Sequence, residues 1–586
     1  GTAMPAKTIK VDSAAEAYLT LLKDREVDYL FGNAGTDFPS IIEGLSKSLT
    51  GEGSAPTPIT VPHENLGVAM AHGYYVATGR LASVMVHVNV GTANAICGVM
   101  NAARENVPVL MTSGRTPLTE EGFDGSRSLY IHWGQEMFDQ GGVMREMVKW
   151  DYELRNAKQV ETIVDRAVTI AMTEPRGPVY LSLPREVLAE KPGDFTYQSP
   201  TRRQPARAAA ADANAIDEAA EILAAAENPI IITASMGQNR AAVPALESLA
   251  ERYAVPVITY RPRYVNMSSD HPMHMGYEPG PYLPDADAIL VIDCDVPWIP
   301  SLHKLNPNAK VIQLGADPLF ENYPVRGFPC DLGIRGSSGT AIPMLEEAMA
   351  SREKSAQPRI DARRSKIAGI KGDQAAANQA RIEKIASGTA AMDNAWVSHC
   401  LQQVKQDDDV LISESQLALG NIALREPGSF FGTSPSGGLG WGLGASLGVK
   451  LGQKDKRVFC VVGDGAYMFG NPTPAHFVSA AYDLPVLTVI MNNKMWGSVR
   501  KATLGLYPDG AASSSNQAPL TYLDPAPEYH KIVQASDGYG EEVTDPGDLQ
   551  AALERGIKAV EVDKRQAVIN VHTTYDDAAA KADAVR

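Results

Sequence analysis

The chain has 586 residues, of which 44% are apolar, 21% are charged and 7% are aromatic. This length predicts three or four domains, and the composition excludes a disordered or collagen-like protein. Lysine and arginine total 53 against 69 aspartates and glutamates, a formal net charge of −16. A chain this acidic, with no basic stripe, predicts no nucleic-acid partner.

The sequence shows no membrane or export signal. It has no run of about 18 apolar residues that could cross a membrane, and no apolar signal-peptide stretch follows its N-terminus. The five cysteines stand far apart without a CxxC pair, which indicates reduced thiols and argues against a disulfide framework or a zinc site. We therefore expect a cytoplasmic enzyme with no membrane partner.

The first predicted domain, residues 5–190, alternates short apolar runs with helical segments. Ser13 and Glu16 form a capping box that opens a helix. Apolar runs follow at 29–31, 59–61, 84–88 and 107–111. Buried-type strands alternating with helices predict a parallel α/β sheet. The Pro/Arg/Ala-rich segment 191–211 is interpreted as a linker.

Two further units of the same type follow along the chain. The central unit, 212–350, has strand candidates at 229–233, 255–259, 288–292 and 311–314. The third unit, 391–575, has strand candidates at 410–413, 457–462, 486–491 and 567–571. Residues 351–390 are charged and Ala-rich and are interpreted as a partly helical linker. The predicted fold class is α/β, with three consecutive doubly wound parallel-sheet domains.

The clearest local motif is Gly463-Asp464-Gly465, which ends an apolar strand, while the next strand ends in Asn492-Asn493. Because neighbouring parallel strands end at the same edge of a sheet, Asp464 and Asn493 are expected to converge. A carboxylate and an amide oxygen, completed by backbone and phosphate oxygens, suit Mg²⁺ or Ca²⁺. Each segment alone is also compatible with an ordinary β-turn or strand cap.

Two other features have open interpretations. The glycine cluster Gly437–Gly444 precedes a helix, where backbone N–H groups can approach a phosphate. It is equally compatible with a tightly packed helix surface, and it lacks the Lys-Ser/Thr of a P-loop. Glu64 stands between an apolar strand and an apolar helix, where a carboxylate could share a proton with a ring nitrogen or simply favour the helix start.

Together these motifs resemble the thiamine-diphosphate-dependent superfamily of acetolactate synthase, pyruvate oxidase and benzoylformate decarboxylase. The resemblance covers about residues 10–575, in the order pyrimidine-binding, central and diphosphate-binding domain. It implies that Asp464, Asn493 and the carbonyl of Met495 hold Mg²⁺ against the diphosphate. It also implies that Glu64 hydrogen-bonds the aminopyrimidine ring and so promotes removal of the thiazolium proton. The further cofactor-binding positions implied are Ser415, Gln416, Gly437, Gly438, Leu439, Gly463, Gly465, Ala466 and Trp496.

The resemblance also bears on assembly. In this superfamily the cofactor lies between two subunits, which implies a homodimer or, as a dimer of dimers, a homotetramer. The spacing from Asp464 to Asn493 is slightly longer than is usual in the family. We place the insertion at 470–474, within the helix that connects the two strands, and expect the metal site to survive it.

Four positions bear on the substrate. His87 falls where benzoylformate decarboxylases carry an active-site histidine, and it could transfer protons or be a strand-end hydrogen-bonding residue. Thr36 falls where the same enzymes have a substrate-facing serine, or it has only a role in the loop. Gln135 instead matches a glutamine of the synthase and oxidase branch. Arg500 either meets a substrate carboxylate or faces solvent.

The implied activity is decarboxylation of a small-molecule 2-oxo acid, with protonation of the resulting enamine or its addition to a second carbonyl compound. The central domain lacks a GxGxxG fingerprint, and the carboxylates of Asp293 and Asp295 at a strand end argue against FAD. A 2-hydroxyacyl-CoA lyase or oxalyl-CoA decarboxylase is the alternative among enzymes. A non-catalytic cofactor-binding scaffold is the alternative from another class, although Glu64 and Asp464 are both present.

Overall fold

The computed structural model describes residues 5–389 and 391–574. Position 575, the predicted end of the third domain, lies outside these residues. By their internal contacts the residues form two compact units. The first contains the chain through Arg207 with Thr433–Asp455 and Ala466–Val486, and the second contains Ala208–Gly432, Lys456–Gly465 and the chain from Leu487 onward. No described helix is long and apolar enough to cross a membrane.

The N-terminal part of the chain alternates strands with helices, as predicted. The strands are β1 (Ala6–Val11), β2 (Tyr29–Gly32), β3 (Thr57–Thr60), β4 (Ser83–Val86), β5 (Leu110–Arg115), β6 (Asp151–Glu153), β7 (Val179–Pro184) and β8 (Gly193–Gln198). The helices are α1 (Ala14–Asp24), α2 (Pro39–Leu49), α3 (Glu64–Thr78), α4 (Val88–Arg104), α5 (Ile131–Gly134), α6 (Val160–Met172) and α7 (Arg185–Leu188). Six strands form a parallel sheet in the order β3-β2-β4-β5-β7-β6.

The linker predicted at 191–211 is wrong in its first part. Residues 193–198 form β8, which pairs antiparallel with β1, a strand that the sequence reading missed. Phe195 and Tyr197 of β8 are buried while the residues between and before them are exposed. Their rings stack at 5.2 Å and join the core beside the first sheet. The alternating pattern of β8 signals a strand, but its polar residues resemble the linker composition that follows it.

The central part of the chain repeats the α/β pattern on a smaller sheet. Its strands are β9 (Pro229–Thr233), β10 (Val257–Thr259), β11 (Ala288–Ile292), β12 (Lys310–Gly315) and β13 (Leu332–Arg335). Its helices are α8 (Ala213–Ala225), α9 (Ala242–Tyr253), α10 (Ser338–Ala350) and α11 (Glu353–Lys384). The sheet order is β10-β9-β11-β12-β13, all parallel. The second predicted linker is therefore a helix, α11, over most of its length.

The C-terminal part carries the third parallel sheet. Its strands are β14 (Val410–Glu414), β15 (Phe430–Gly432), β16 (Val458–Gly463), β17 (Leu487–Asn492), β18 (Tyr539–Val543) and β19 (Ala567–His572). Its helices are α12 (Asn394–Val404), α13 (Trp441–Gly452), α14 (Asp464–Phe469), α15 (Pro472–Ala481), α16 (Gly497–Leu506), α17 (Ala511–Ser515), α18 (Tyr529–Ile532) and α19 (Leu549–Glu561). The sheet order is β15-β14-β16-β17-β19-β18. The predicted class, α/β with three parallel-sheet domains, is confirmed.

Within the first unit, α3 packs against α13 with the two backbones in close approach. A Cβ on Gly73 would lie 2.0 Å from the carbonyl oxygen of Ala445, and one on Gly448 would lie 2.1 Å from that of Met70. Gly444 likewise faces the backbone of α3. Glycine is required here because any side chain would separate the helices. Residues 65–77 of α3 are all buried as a result.

Candidate active site

Asp464 and Asn493 follow neighbouring strands of the third sheet, in the second unit. Asp464 comes directly after β16, and Asn493 comes directly after β17, which pairs with β16 in parallel. The backbone N–H groups of Gly465, Asn493 and Lys494 lie near enough to the Asp464 carboxylate to lower its pKa. The two segments therefore lie together at the carboxyl edge of the sheet, where open α/β sheets bind their ligands.

Asp464 is a buried carboxylate with an oxygen that lacks a partner. The residue is 2% exposed, and its Oδ2 has no hydrogen bond to any described residue. Burial raises its pKa to about 6, although the backbone N–H groups around it limit the rise. A cation at Oδ2 would neutralise this buried charge, so the residue fits the Mg²⁺ that the resemblance implies.

The residues after β17 form a turn that supplies the other predicted metal ligands. The N–H of Met495 donates to Oδ1 of Asn493 at 3.2 Å, and Lys494 between them has a φ of +60°. The amide oxygen has a second lone pair, so it can still coordinate a cation. Among the described residues no group of three or more His, Cys, Asp or Glu side chains could hold a metal. Asp464 would be the single carboxylate, which suits an ion that also binds phosphate.

The two glycines that flank Asp464 differ in their surroundings. A Cβ on Gly463 would meet no atom within 4 Å, so this backbone faces open space. A Cβ on Gly465 would lie 2.3 Å from the indole ring of Trp496. Gly465 therefore makes room for Trp496, and the indole packs over the start of the Asp464 turn.

The other predicted positions of this edge lie close by in the chain. Ser415 follows β14, and its Oγ lies 3.1 Å from Oγ of Ser413. Gln416 is exposed, and its Nε2 donates to Oγ of Ser498 at 3.2 Å. Ala466 lies on α14 and is buried. Their contact with a cofactor stays a prediction.

The segment 506–525 folds back on the turn after β17. The N–H of Trp496 donates to the carbonyl of Thr521 at 2.7 Å. Arg500 is 4% exposed, and its Nη2 donates to Oδ1 of Asn516 at 2.6 Å. The solvent-facing alternative for Arg500 is therefore wrong, because its guanidinium holds this loop; a bond to a substrate carboxylate stays a prediction.

The insertion at 470–474 does not lie within one helix, as the sequence reading expected. It begins between α14 and α15, where Asn471 has a φ of +54°, and its last three residues, from Pro472 onward, form the start of α15. A left-handed residue followed by proline ends one helix and starts the next. The insertion thus divides the helical segment between β16 and β17 into two helices. The two strands remain paired in register up to Gly463 and Met491.

The glycine cluster belongs to the first unit, and its glycines differ in their surroundings. Gly437 has a φ of +67° and no atom within 4 Å of the place where a Cβ would lie. Gly438 is fixed to α4, because its N–H donates to Oδ1 of Asn101 at 3.1 Å and its carbonyl accepts from Nδ2 at 2.9 Å. Leu439 is half-buried. Tight packing thus explains Gly438 and Gly444, while Gly437 is open to a ligand.

Glu64 is the first residue of α3 and belongs to the first unit. Its Oε2 accepts a hydrogen bond from Nδ2 of Asn33, and its Oε1 accepts one from Nδ2 of Asn94 at 3.3 Å. The side chain is half-buried. Each oxygen keeps a further lone pair, so the carboxylate can bind a ring nitrogen while the two amides hold its orientation. The negative charge of Glu64 at the N-terminus of α3 also interacts favourably with the helix dipole.

Three of the predicted catalytic residues lie near one another around His87. Nε2 of His87 is 3.2 Å from Nε2 of Gln135, and Nδ1 is 2.6 Å from Oδ1 of Asp37. The hydrogen bond to Asp37 raises the pKa of His87 above its ordinary value, against the effect of burial, and the charge of Glu64 adds to the rise. The proximity of Glu64 links it to the same site.

Thr36 is held by a second histidine. Nδ1 of His132 accepts the N–H groups of Ser128 at 3.1 Å and Leu129 at 3.4 Å, so the ring hydrogen must lie on Nε2. That Nε2 donates to Oγ1 of Thr36 at 3.2 Å. Because Thr36 accepts this bond, its hydroxyl hydrogen is free to donate to another group. Burial and nearby arginines lower the pKa of His132, which keeps the ring neutral.

The sequence reading missed Asp37, His132 and the two amides that hold Glu64. Asp37 follows Thr36 directly, but its partner His87 is fifty positions away, and no spacing rule links them. Asn33 and Asn94 lie in segments that were singled out for other residues. The missed residues all act by tertiary contact, which a single sequence does not show.

In the central domain, one of the two carboxylates that were expected to repel FAD is paired with an arginine. Burial alone would raise the pKa of Asp295, but Arg263 and the hydroxyl of Tyr323 outweigh it and lower the pKa. Arg263 pairs with Asp295 at 2.6 Å, so the strand end carries no uncompensated charge from this residue. Asp293 accepts a hydrogen bond from Ser338. The expectation that FAD does not bind therefore rests on the missing fingerprint and on the carboxylate of Asp293, which a neutral hydroxyl does not compensate.

Comparison with known proteins identifies the class of protein that this fold and these residues define. Residues 12–143 match the N-terminal TPP binding domain of the thiamine pyrophosphate enzymes, residues 216–345 match the central domain, and residues 412–571 match the C-terminal TPP binding domain. Thiamine pyrophosphate (TPP) is another name for thiamine diphosphate. The chain belongs to this family of thiamine-diphosphate-dependent decarboxylases and carboligases.

Individual relatives are distant but cover nearly the whole chain. A probable 2-ketoarginine decarboxylase, AruI, from Pseudomonas aeruginosa is 26% identical and covers 95% of this chain and 93% of its own length. The large subunit of acetolactate synthase isozyme 3 from Escherichia coli is 24% identical, over 96% and 95%. The solved 4-hydroxybenzoylformate decarboxylase of Rhodococcus jostii RHA1 has a TM-score of 0.75 at 21% identity, over 96% and 100%. That similarity supports the fold.

Proposed function

We propose that the chain decarboxylates a 2-oxo acid with thiamine diphosphate and Mg²⁺, and returns a proton to the carbon that loses CO₂. The observation that carries this proposal is the setting of His87, which lies between the buried carboxylate of Asp37 and the amide of Gln135. An imidazole with a raised pKa can hold a proton near neutral pH and deliver it. Two relatives of this chain are named as decarboxylases of 2-oxo acids.

The residues of the chain would act in three places. Asp464, Asn493 and the carbonyl of Met495 would hold Mg²⁺ against the diphosphate. Glu64 would hydrogen-bond the aminopyrimidine ring, oriented by its two amide partners. When bound, thiamine diphosphate supplies the carbanion that adds to the 2-oxo carbon and takes up the electrons that CO₂ leaves behind. His87 would hold the proton that the product carbon receives.

Carboligation, as in acetolactate synthase, is the second candidate. It is favoured by Gln135, which matches the synthase branch and contacts His87 at the site. In this reaction a second carbonyl compound, instead of a proton, reaches the carbon that lost CO₂. The similarity to the Escherichia coli acetolactate synthase supports this alternative to the same extent as the decarboxylase relatives support the first.

We also propose that the chain works as a homodimer or a dimer of dimers. Between residues 118 and 138 six large apolar side chains are exposed, with Tyr130 at 89% and Phe138 fully exposed. Large apolar side chains exposed within one segment are typical of protein interfaces. Sedimentation equilibrium of the wild type and of a Tyr130→Ser/Phe138→Ser variant tests this: we expect a dimer or tetramer, and weaker association in the variant. A monomeric wild type would contradict the proposal.

The activity test is a panel of substrates supplied with and without Mg²⁺ and thiamine diphosphate. It contains pyruvate, benzoylformate, 4-hydroxybenzoylformate and 2-ketoarginine, together with a 2-hydroxyacyl-CoA and oxalyl-CoA. We expect CO₂ and an aldehyde from at least one 2-oxo acid, and about 10²-fold less aldehyde from His87→Gln. Acyloin in place of aldehyde would favour carboligation. Turnover of the CoA esters alone, or no CO₂ from any 2-oxo acid, would contradict the proposal.

A further inference from the structure

The loop that follows β2 places a buried carboxylate directly behind His87. The side chain of Asp37 is 1% exposed. Its Oδ1 lies 2.6 Å from Nδ1 of His87, and its Oδ2 accepts the N–H of Val88 at 3.1 Å. Because a carboxylate only accepts hydrogen bonds, Nδ1 of His87 must carry a hydrogen. Nε2 is therefore the nitrogen that gains and loses a proton.

The surrounding backbone is shaped to admit this pair. A Cβ on Gly35 would lie 2.0 Å from Nδ1 of His87, and one on Gly114 would lie 1.7 Å from Oδ2 of Asp37. Val88 has a φ of +33°, a conformation that a β-branched residue rarely adopts, and its N–H is the one that Asp37 binds. Two glycines and a strained residue thus converge on one carboxylate–imidazole contact.

On its other side, His87 meets an amide that fits both of its protonation states. Nε2 of His87 lies 3.2 Å from Nε2 of Gln135, and the buried Oε1 of Gln135 has no hydrogen-bond partner among the described residues. When the imidazole is neutral, the amide N–H donates to Nε2. When it is protonated, a half-turn of the amide brings Oε1 to accept from Nε2–H.

The charged and titratable groups that face His87 favour the protonated form. Asp37 lies in the loop after β2 and Glu64 at the start of α3, and both raise the pKa of His87. His132, on α5, also interacts with His87, but its Nδ1 is occupied by two backbone N–H groups and burial keeps it neutral. The described residues show no ion pair of Asp37 other than that with His87.

We propose that Asp37 is a positioning residue, which fixes His87 as the Nδ1–H tautomer and makes Nε2 the atom that exchanges a proton with the substrate carbon. Gln135 follows each change of protonation by rotating its amide. The destination of the proton rests on the proposed function. The tautomer and the link between Asp37 and His87 do not depend on it, because they follow from contacts within the chain.

The test measures the acid–base behaviour of His87 directly, without turnover. Protein loaded with Mg²⁺ and thiamine diphosphate is treated briefly with diethylpyrocarbonate between pH 5 and 9, and the modified His87 peptide is quantified by mass spectrometry. We expect the wild-type midpoint above about 6.5, the ordinary value for imidazole. Asp37→Asn, which keeps the shape and removes the charge, should lower the midpoint by about 1 pH unit.

Two further variants test whether a change in the His87 midpoint is specific to the Asp37 carboxylate. Gly114→Ala displaces the Asp37 carboxylate without changing its charge, and we expect the same direction of shift. Asp139→Asn removes an exposed carboxylate that pairs with Arg145 and should leave the midpoint unchanged. In the substrate panel, Asp37→Asn should lower kcat with little change in KM and move the basic limb of the pH profile to lower pH.

The outcomes separate this inference from the proposed function. A wild-type midpoint at or below 6.5, or the same midpoint in Asp37→Asn and the wild type, would overturn the inference even if the enzyme decarboxylates a 2-oxo acid. A shifted midpoint in Asp37→Asn would support it even if no substrate of the panel is turned over. Should the Asp37 and Gly114 variants both fail to fold, the wild-type midpoint alone decides.

Discussion

The buried, unpartnered oxygen of Asp464 leads us to predict how the stability of the metal-free protein depends on pH. The folded state raises the pKa of this carboxyl from 3.8 to about 6. At about 1.4 kcal/mol per pKa unit, that difference of about 2 is worth about 3 kcal/mol. Between pH 4 and 6 the folded state holds a proton that the unfolded state has released. The metal-free protein therefore loses up to about 3 kcal/mol of stability as the pH rises through this range.

Asp464→Asn removes this pH dependence. At pH 4 the variant should match the wild type, because both side chains are then neutral. At pH 7.5 and without metal, the variant should be more stable by about 1–3 kcal/mol, or a few degrees in the melting temperature. The gain can be as small as about 1 kcal/mol because the amide nitrogen of the variant takes the place of Oδ2. This nitrogen is then buried without a hydrogen-bond partner, which costs part of the gain.

The assay is thermal unfolding followed by tryptophan fluorescence after exhaustive chelation, and Trp496 beside Gly465 reports on this region. Addition of Mg²⁺ and thiamine diphosphate at about 100 times Kd should stabilise the wild type by about 2.7 kcal/mol and leave Asp464→Asn unchanged. Asp455→Asn, at an exposed carboxylate, is the matched control. A metal-free variant that is less stable than the wild type at pH 7.5 would show that the buried charge of Asp464 does not destabilise the fold.

Three further predictions concern packing and order. Gly448→Leu should separate α3 from α13 and lower the melting temperature by more than 10 °C, whereas Gly505→Ala, in open space, should keep or slightly raise it. Gly465→Ala should displace Trp496 and weaken binding of Mg²⁺ and thiamine diphosphate at least tenfold by calorimetry, and unchanged affinity would contradict its assigned packing role. Arg500→Met should speed proteolysis within 506–525 by severalfold, with mass spectrometry locating the cuts.

The sequence was most informative where the chemistry is local. Strands such as 229–233 and 288–292 were predicted with the bounds that they have, because continuous apolar runs mark buried parallel strands. The Gly463-Asp464-Gly465 motif identified the edge of the sheet because it directly follows a strand. That position determines where the side chain of Asp464 lies. His87 was found through the resemblance, which also chose between the two roles that the residue pattern had left open for Glu64.

What the sequence could not provide was long-range pairing. β1 pairs with β8 at Ala6 and Gln198, which are 192 positions apart, and neither strand is apolar enough to be recognised alone. The contact of Asp37 with His87 depends on how β2 and β4 pair in the sheet. The same limit explains why Arg500 was left between two alternatives: burial of a charged side chain depends on its tertiary partners.

The role of Glu64 in activating the cofactor is tested by exchange of the C2 hydrogen of bound thiamine diphosphate, measured by acid-quenched NMR after transfer into D₂O. It requires no knowledge of the substrate. We expect the wild type to exchange at least 10²-fold faster than the free cofactor, and Glu64→Gln to bind the cofactor but exchange no faster than free cofactor does. Glu146→Gln, at an exposed site, should behave as the wild type. Exchange in Glu64→Gln at the wild-type rate would contradict the account.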